Sequence, residues 1–107
     1  MDLFNKRCVP CEGGIKPFGA EEIKKYLVEV PGWEVKEEKL LSKEYKCRDF
    51  KGSIEFVKKV AAVAEQENHH PDICIFYNKV RLDISTHAIG GLSENDFILA
   101  AKINTVV

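Results

Sequence analysis

No hydrophobic run in this sequence is long: "VAAVA" and "ICIFY" are the extremes, far short of the ~20 apolar residues a membrane-spanning helix needs. The opening "MDLFNKR" leads into neither an apolar stretch nor a small-residue cleavage site, so no leader is expected and a cytoplasmic location is. An excess of either charge is also missing. Sixteen Lys and Arg against 17 Asp and Glu leave a formal net charge of −1. That balance offers no basic footprint for phosphate backbones or anionic lipid, and neither nucleic acid nor a membrane is expected as partner. Cysteines number only four, and Cys8 and Cys11 make the one Cys-x-x-Cys. A zinc ribbon needs a second close pair, and a thioredoxin-like site sits between a strand and a helix, whereas Gly and Pro follow Cys11. Reduced thiols in an irregular N-terminal segment, residues 1–19, are the simpler reading; a metal or redox role for the pair stays open. Cys74 reads as core packing.

What remains is a globular chain. At 107 residues, 45% hydrophobic and 31% charged, it is expected to form one domain over residues 1–107 with a heavily ionised surface. In "GAEEIKKYLVEV", Ile23, Leu27 and Val30 recur about one turn apart and stop at Pro31-Gly32, which predicts a first helix. Trp33 and Val35, then Leu41, Lys43 and Tyr45, alternate with the residues between them, predicting a hairpin that turns near Glu38-Lys39. From Asp49, the recurrence of Ile54, Val57, Ala61 and Ala64, widened by Phe56, Val60 and Val63, predicts a long helix lying on the sheet. "DICIFYNKV" and "RLDISTH" predict a second hairpin, with its turn at Asn78-Lys79. Ser93 and Asp96 form a capping-box pattern opening a last helix through "FILAAKI". The order α-β-β-α-β-β-α indicates an α+β fold: two layers, a four-stranded antiparallel sheet with three helices on one face. So small a sheet leaves edges open, which makes pairing with another subunit an expectation.

The three histidines are placed with care. His69 and His70 precede Pro71, and a proline disfavours the α conformation in the residue before it. The long helix should therefore end at the pair, with His69 aimed from its last turn and His70 leaving in another direction. Glu65, four residues before His69, would share its helical face. His87 follows His70 by 17 residues, enough for one hairpin to bring the chain back, so that three imidazoles could meet with Asp96 and Glu65 near them. Three histidines can hold a catalytic zinc, but no His-x-His or His-x-x-x-His spacing supports that. Metal-free acid–base chemistry needs only donors and acceptors that titrate near neutrality, which histidine supplies. A purely structural use of all three is the remaining alternative.

The stretch from Glu65 to Ile103 resembles the pterin-4a-carbinolamine dehydratase family, also called 4a-hydroxytetrahydrobiopterin dehydratase. The matching positions are an acid four before His-His-Pro (Glu65, His69, His70, Pro71), the hairpin Tyr77-Asn78-Lys79-Val80 and the Thr86-His87 pair. Gly91-Leu92-Ser93 and Asp96 follow without a gap, and Gly32-Trp33 matches more weakly, so the resemblance spans roughly Ala20 to Val107. It departs where the family often has aspartate, at Asn68, and aromatics, at Ile73 and Cys74. The resemblance implies an α+β fold, a dimer or tetramer, no metal or redox cofactor, and the dehydration of a 4a-hydroxytetrahydropterin to quinonoid dihydropterin in cofactor recycling. It implies acid–base roles for His69 and His87 and a pterin contact for His70, with Glu65 and Asp96 orienting imidazoles. Pro71 and the segment Thr86, His87, Ala88 and Ile89 would bind substrate. A second implied reading is a pterin-binding or dimerisation module that partners a transcription factor, with an oligomerising face along Phe56, Val60 and Val63.

Overall fold

The computed structural model describes residues 1–10 and 15–106. Cys11, and with it any pairing of Cys8 and Cys11, lies outside the described residues. Three α-helices, α1 (Ala20–Leu27), α2 (Phe50–Glu67) and α3 (Glu94–Asn104), accompany four strands, β1 (Glu34–Lys36), β2 (Leu40–Lys46), β3 (Asp72–Phe76) and β4 (Lys79–Ile84). The strands form one antiparallel sheet in the order β1-β2-β4-β3, so the chain makes two hairpins and joins them through β2 and β4. This is the expected α+β architecture.

Register is set by what must be buried. Leu41 lies opposite Ile84 and Tyr45 opposite Val80, while Ile75 faces Val80 from the other side, so their side chains share the inner face. The second hairpin turns at Tyr77-Asn78, one residue before the expected Asn78-Lys79, because Phe76 pairs with Lys79. A turn one residue later would move Ile73, Ile75 and Val80 out of register with the core. The first hairpin turns through Glu37, Glu38 and Lys39, with both glutamates at positive φ.

Asp49 caps α2 by accepting the Gly52 N–H at 2.8 Å, and Ser53 Oγ donates to the Tyr77 carbonyl at 2.6 Å, tying the helix start to the hairpin. The buried stripe of α2 is Ser53, Phe56, Val60, Ala64 and Glu67. Of the expected stripe it keeps Ala64, Phe56 and Val60 and leaves Ile54, Val57 and Ala61 aside, because Phe56 and Val60 are the residues that reach the core. They are therefore covered: of the oligomerising face expected along Phe56, Val60 and Val63, the first two are core and only Val63 stays partly exposed. The most buried helix is α3, where Phe97, Ile98, Leu99, Ala100 and Ile103 are all sealed off; each large apolar side chain contributes about 1.5–3 kcal/mol. The N-terminal segment is less irregular than expected, since a 3-10 turn at Leu3–Asn5 packs on α3 and buries Leu3 in the core. No helix among the described residues is long and apolar enough to cross a membrane.

Candidate active site

Two chain reversals build the site. At the first, α2 ends not at the His pair but at Asn68, which adopts the left-handed conformation with φ 51°. The Asn68 N–H bonds back to Ala64 and Glu65, and the His69 N–H bonds to the Ala64 carbonyl at 3.2 Å, a Schellman-type stop. Asn68 tolerates this backbone better than most residues, so the helix closes before Pro71 acts. His69 and His70 thus leave as extended chain. The second reversal follows β4, which ends at Ile84 rather than continuing to His87. Thr86 bridges Gly91 through bonds of 2.9 and 3.4 Å, and His87–Ile89 make a 3-10 turn closed by Gly90 at φ 66°. Gly91 has no room for a side chain, as a Cβ there would lie 2.7 Å from Pro17 Cβ.

These reversals bring all three imidazoles to one open cleft of about 450 Å³, whose lining also includes Pro71, Thr86 and Ala88. Ile89, Glu65 and Asp96 do not line it. The carboxylates stand behind the imidazoles, and their pairing is the reverse of what helical spacing implied. His69 Nε2 meets Asp96 Oδ1 at 2.7 Å, while His70 Nε2 bonds Glu65. The helix stops before His69, so the i,i+4 relation to Glu65 is broken and the next residue takes that partner. Asp96 is fully buried. Its Oδ2 accepts the Thr86 hydroxyl and the Ser93 N–H, both at 2.8 Å, and Ser93 Oγ lies 2.9 Å from Thr86 Oγ1. The capping interaction expected of Asp96 therefore forms, and the same carboxylate also fixes an imidazole. A proton on Nε2 directed at Asp96 would leave Nδ1 of a neutral His69 as its acceptor nitrogen. His87 is exposed and makes no side-chain hydrogen bond or ion pair among the described residues. Among those residues no group of three His, Cys, Asp or Glu side chains is placed to hold a metal ion.

Several site neighbours had no place in the sequence reading. Val9, Pro10, Asp72, Ser85 and Asn95 also line the cleft, as does Asn68, which the sequence marked only as a departure from the family pattern. Behind it, Glu67 is buried between Lys102 Nζ at 2.7 Å and the Cys8 N–H at 2.9 Å. Burial alone would raise the Glu67 carboxyl, but these two donors hold it below its usual range. Burial, reinforced by the Glu67 charge, pushes the Cys8 thiol up to about 12. Glu67 was detectable in principle: it continues the helical spacing of Ser53, Phe56, Val60 and Ala64 and is the one charge on that stripe.

An α+β domain that gathers three imidazoles, two of them backed by carboxylates, round a cleft open to solvent is equipped to move protons on a small molecule. The chain belongs to the pterin 4 alpha carbinolamine dehydratase family, whose profile matches residues 16–106. Relatives named for this dehydratase include one from Rubrobacter xylanophilus, 42% identical and aligned over 96% of both chains. Another, from Rickettsia bellii, is 52% identical over 95% of this chain and 91% of its own. The crystal structure of a transcriptional coactivator/pterin dehydratase from Brucella melitensis matches with a TM-score of 0.79 at 28% identity, covering 85% of this chain and 98% of that one.

Proposed function

We propose that this chain is an active hydro-lyase, removing water from a 4a-hydroxytetrahydropterin by metal-free acid–base catalysis. The observation that carries the proposal is the contrast between His69, fixed by buried Asp96, and His87, free at the rim of the same cleft. In the reaction the C4a–O bond breaks, the N5 proton departs and a C4a=N5 double bond forms. Hydroxide is a poor leaving group, so one imidazolium protonates the departing oxygen and it leaves as water; a second, neutral imidazole accepts the proton from N5. His69 and His87 take these two parts. His70, held by Glu65, contacts the pterin with Pro71, and Thr86, His87 and Ala88 offer backbone groups to its polar edge. Such positioned proton transfer contributes about 10²–10⁴-fold. Stopped-flow dehydration of a 4a-carbinolamine tests this: H69A and H87A should each lose about 10²-fold or more in kcat with an altered pH profile. Wild-type rates in both remove the assignment.

The Brucella relative's name joins dehydratase to coactivator, which supports a second reading as a dimerisation module. Homodimers or homotetramers fit the outer edges of β1 and β3, unpaired among the described residues, and the apolar residues Ile54 and Val57 on α2, half-buried outside its core stripe. Light scattering reads the assembly, and partner capture that survives substitution of all three histidines favours this reading over catalysis.

A further inference from the structure

The segment Cys8–Pro10 has no secondary structure, yet it is held at two successive residues by side chains from different helices. Glu67, the last residue of α2, accepts the Cys8 N–H at 2.9 Å. Asn95, in the first turn of α3, takes both backbone groups of Val9: its Oδ1 accepts the N–H at 3.0 Å and its Nδ2 donates to the carbonyl at 2.5 Å. With its backbone fully engaged from behind, Val9 turns its side chain outward and stays 65% exposed, and Val9 and Pro10 both line the cleft of the histidines. Most of the remaining lining is polar, Pro71 and Ala88 being its other apolar members. A flat bicyclic heterocycle needs an apolar surface against a ring face as well as polar groups at its edge.

We infer that residues 8–10 are a wall of the pterin cleft, with Val9 covering a ring face and Asn95 and Glu67 acting as positioning residues for it. The inference rests on the pterin reading above. Glu67 and Asn95 lie within the stretch that the family profile matches, which begins at residue 16, while residues 8–10 lie outside it. Relatives nonetheless align through this part of the chain, as with the Halorhodospira halophila protein, matched over 99% of this sequence.

The test is titration of the full chain with 7,8-dihydrobiopterin, run beside steady-state dehydration. Val9→Ser should weaken binding and raise KM by about five- to tenfold, with the loss falling on KM rather than kcat. Val28→Ser, at another exposed valine outside the cleft, should change neither. Glu67→Ala should reproduce the KM effect and speed exchange of the Cys8 amide, while Glu67→Gln, which keeps an acceptor, should restore part of both. In the wild type, pterin should slow exchange of the Val9 amide. Wild-type protein that neither binds nor dehydrates a pterin overturns the functional reading and the inference with it. An active wild type with Val9→Ser unchanged in KM and binding overturns the inference alone.

Discussion

His69 Nε2 and Asp96 Oδ1 stand 2.7 Å apart across 27 positions of sequence, one on the exit from α2 and the other in the first turn of α3. The pair joins the cleft to the fold, because the carboxylate that bonds the imidazole also caps a helix and accepts the Thr86 hydroxyl. Asp96→Asn keeps the shape but weakens the acceptor, and kcat should fall by about 10–10²-fold with folding largely kept. Asp96→Ala strands two buried donors and should additionally cost about 2–3 kcal/mol in a urea melt. Equal stability losses in both variants would argue against a separate orienting role.

The left-handed residues predict opposite responses. Asn68 is a helix stop, so Asn68→Gly should be near neutral, while Asn68→Ala should cost about 1 kcal/mol and lower kcat by loosening His69 and His70. Tyr77, exposed at φ 55°, gains nothing from its conformation, and Tyr77→Gly should stabilise by about 0.5–1 kcal/mol. Thermal melts of the three proteins check both signs.

Glu67 should give stability a pH dependence. Its carboxyl lies lower in the folded protein than its ordinary value of 4.5, so the folded state binds the proton more weakly than the unfolded chain. The stabilisation is complete above 4.5 and declines as pH falls through the depressed folded value. The Tm advantage of wild type over Glu67→Gln should therefore be constant near neutrality and shrink below about pH 4.5. An advantage that persists unchanged in acid would place the stabilisation elsewhere.

Asn104 is a second polar node, away from the cleft. Its Oδ1 accepts from Trp33 Nε1 at 3.0 Å, Lys43 Nζ at 3.0 Å and Tyr45 Oη at 3.1 Å. Burial lowers the Lys43 ammonium and raises the Tyr45 phenol, so both depend on this acceptor for compensation. Asn104→Leu should lower stability by about 2–3 kcal/mol without changing kcat, read by urea denaturation and dehydration rate together.

The elements were legible because their periodicities are strong. Ile23 and Leu27 mark α1, although Val30, which keeps their spacing, lies beyond its end, and the alternation through Leu41 and Tyr45 marks β2. Boundaries were harder, since they depend on partners distant in sequence. Pro71 gave a visible stop signal, but Asn68 takes the left-handed position first. Phe56 and Ile54 are alike in hydrophobicity, and only the sheet beneath α2 decides which is buried. Within the site, the three imidazoles were legible as a group from the hairpin that separates them. Their carboxylate partners were not, because helical spacing assigned Glu65 to His69 where the early stop hands it to His70. Val9 and Asn95 were invisible for another reason: they meet through the backbone groups of Val9, and a backbone amide looks the same at every position.

Leu3 is only 3% exposed, Lys6 pairs with Glu94 across 88 positions, and Cys8 and Val9 bond to α2 and α3. Whatever is fused ahead of Met1 is therefore joined to a stretch that packs as core within a few residues and reaches the cleft by the ninth. Met1 itself lies beside Asn104, away from the cleft, so an affinity tag or cleavage scar there bears on the cleft through the packing of the residues between them. Preparations tagged at the two termini should be compared before any difference in their kinetics is credited to sequence.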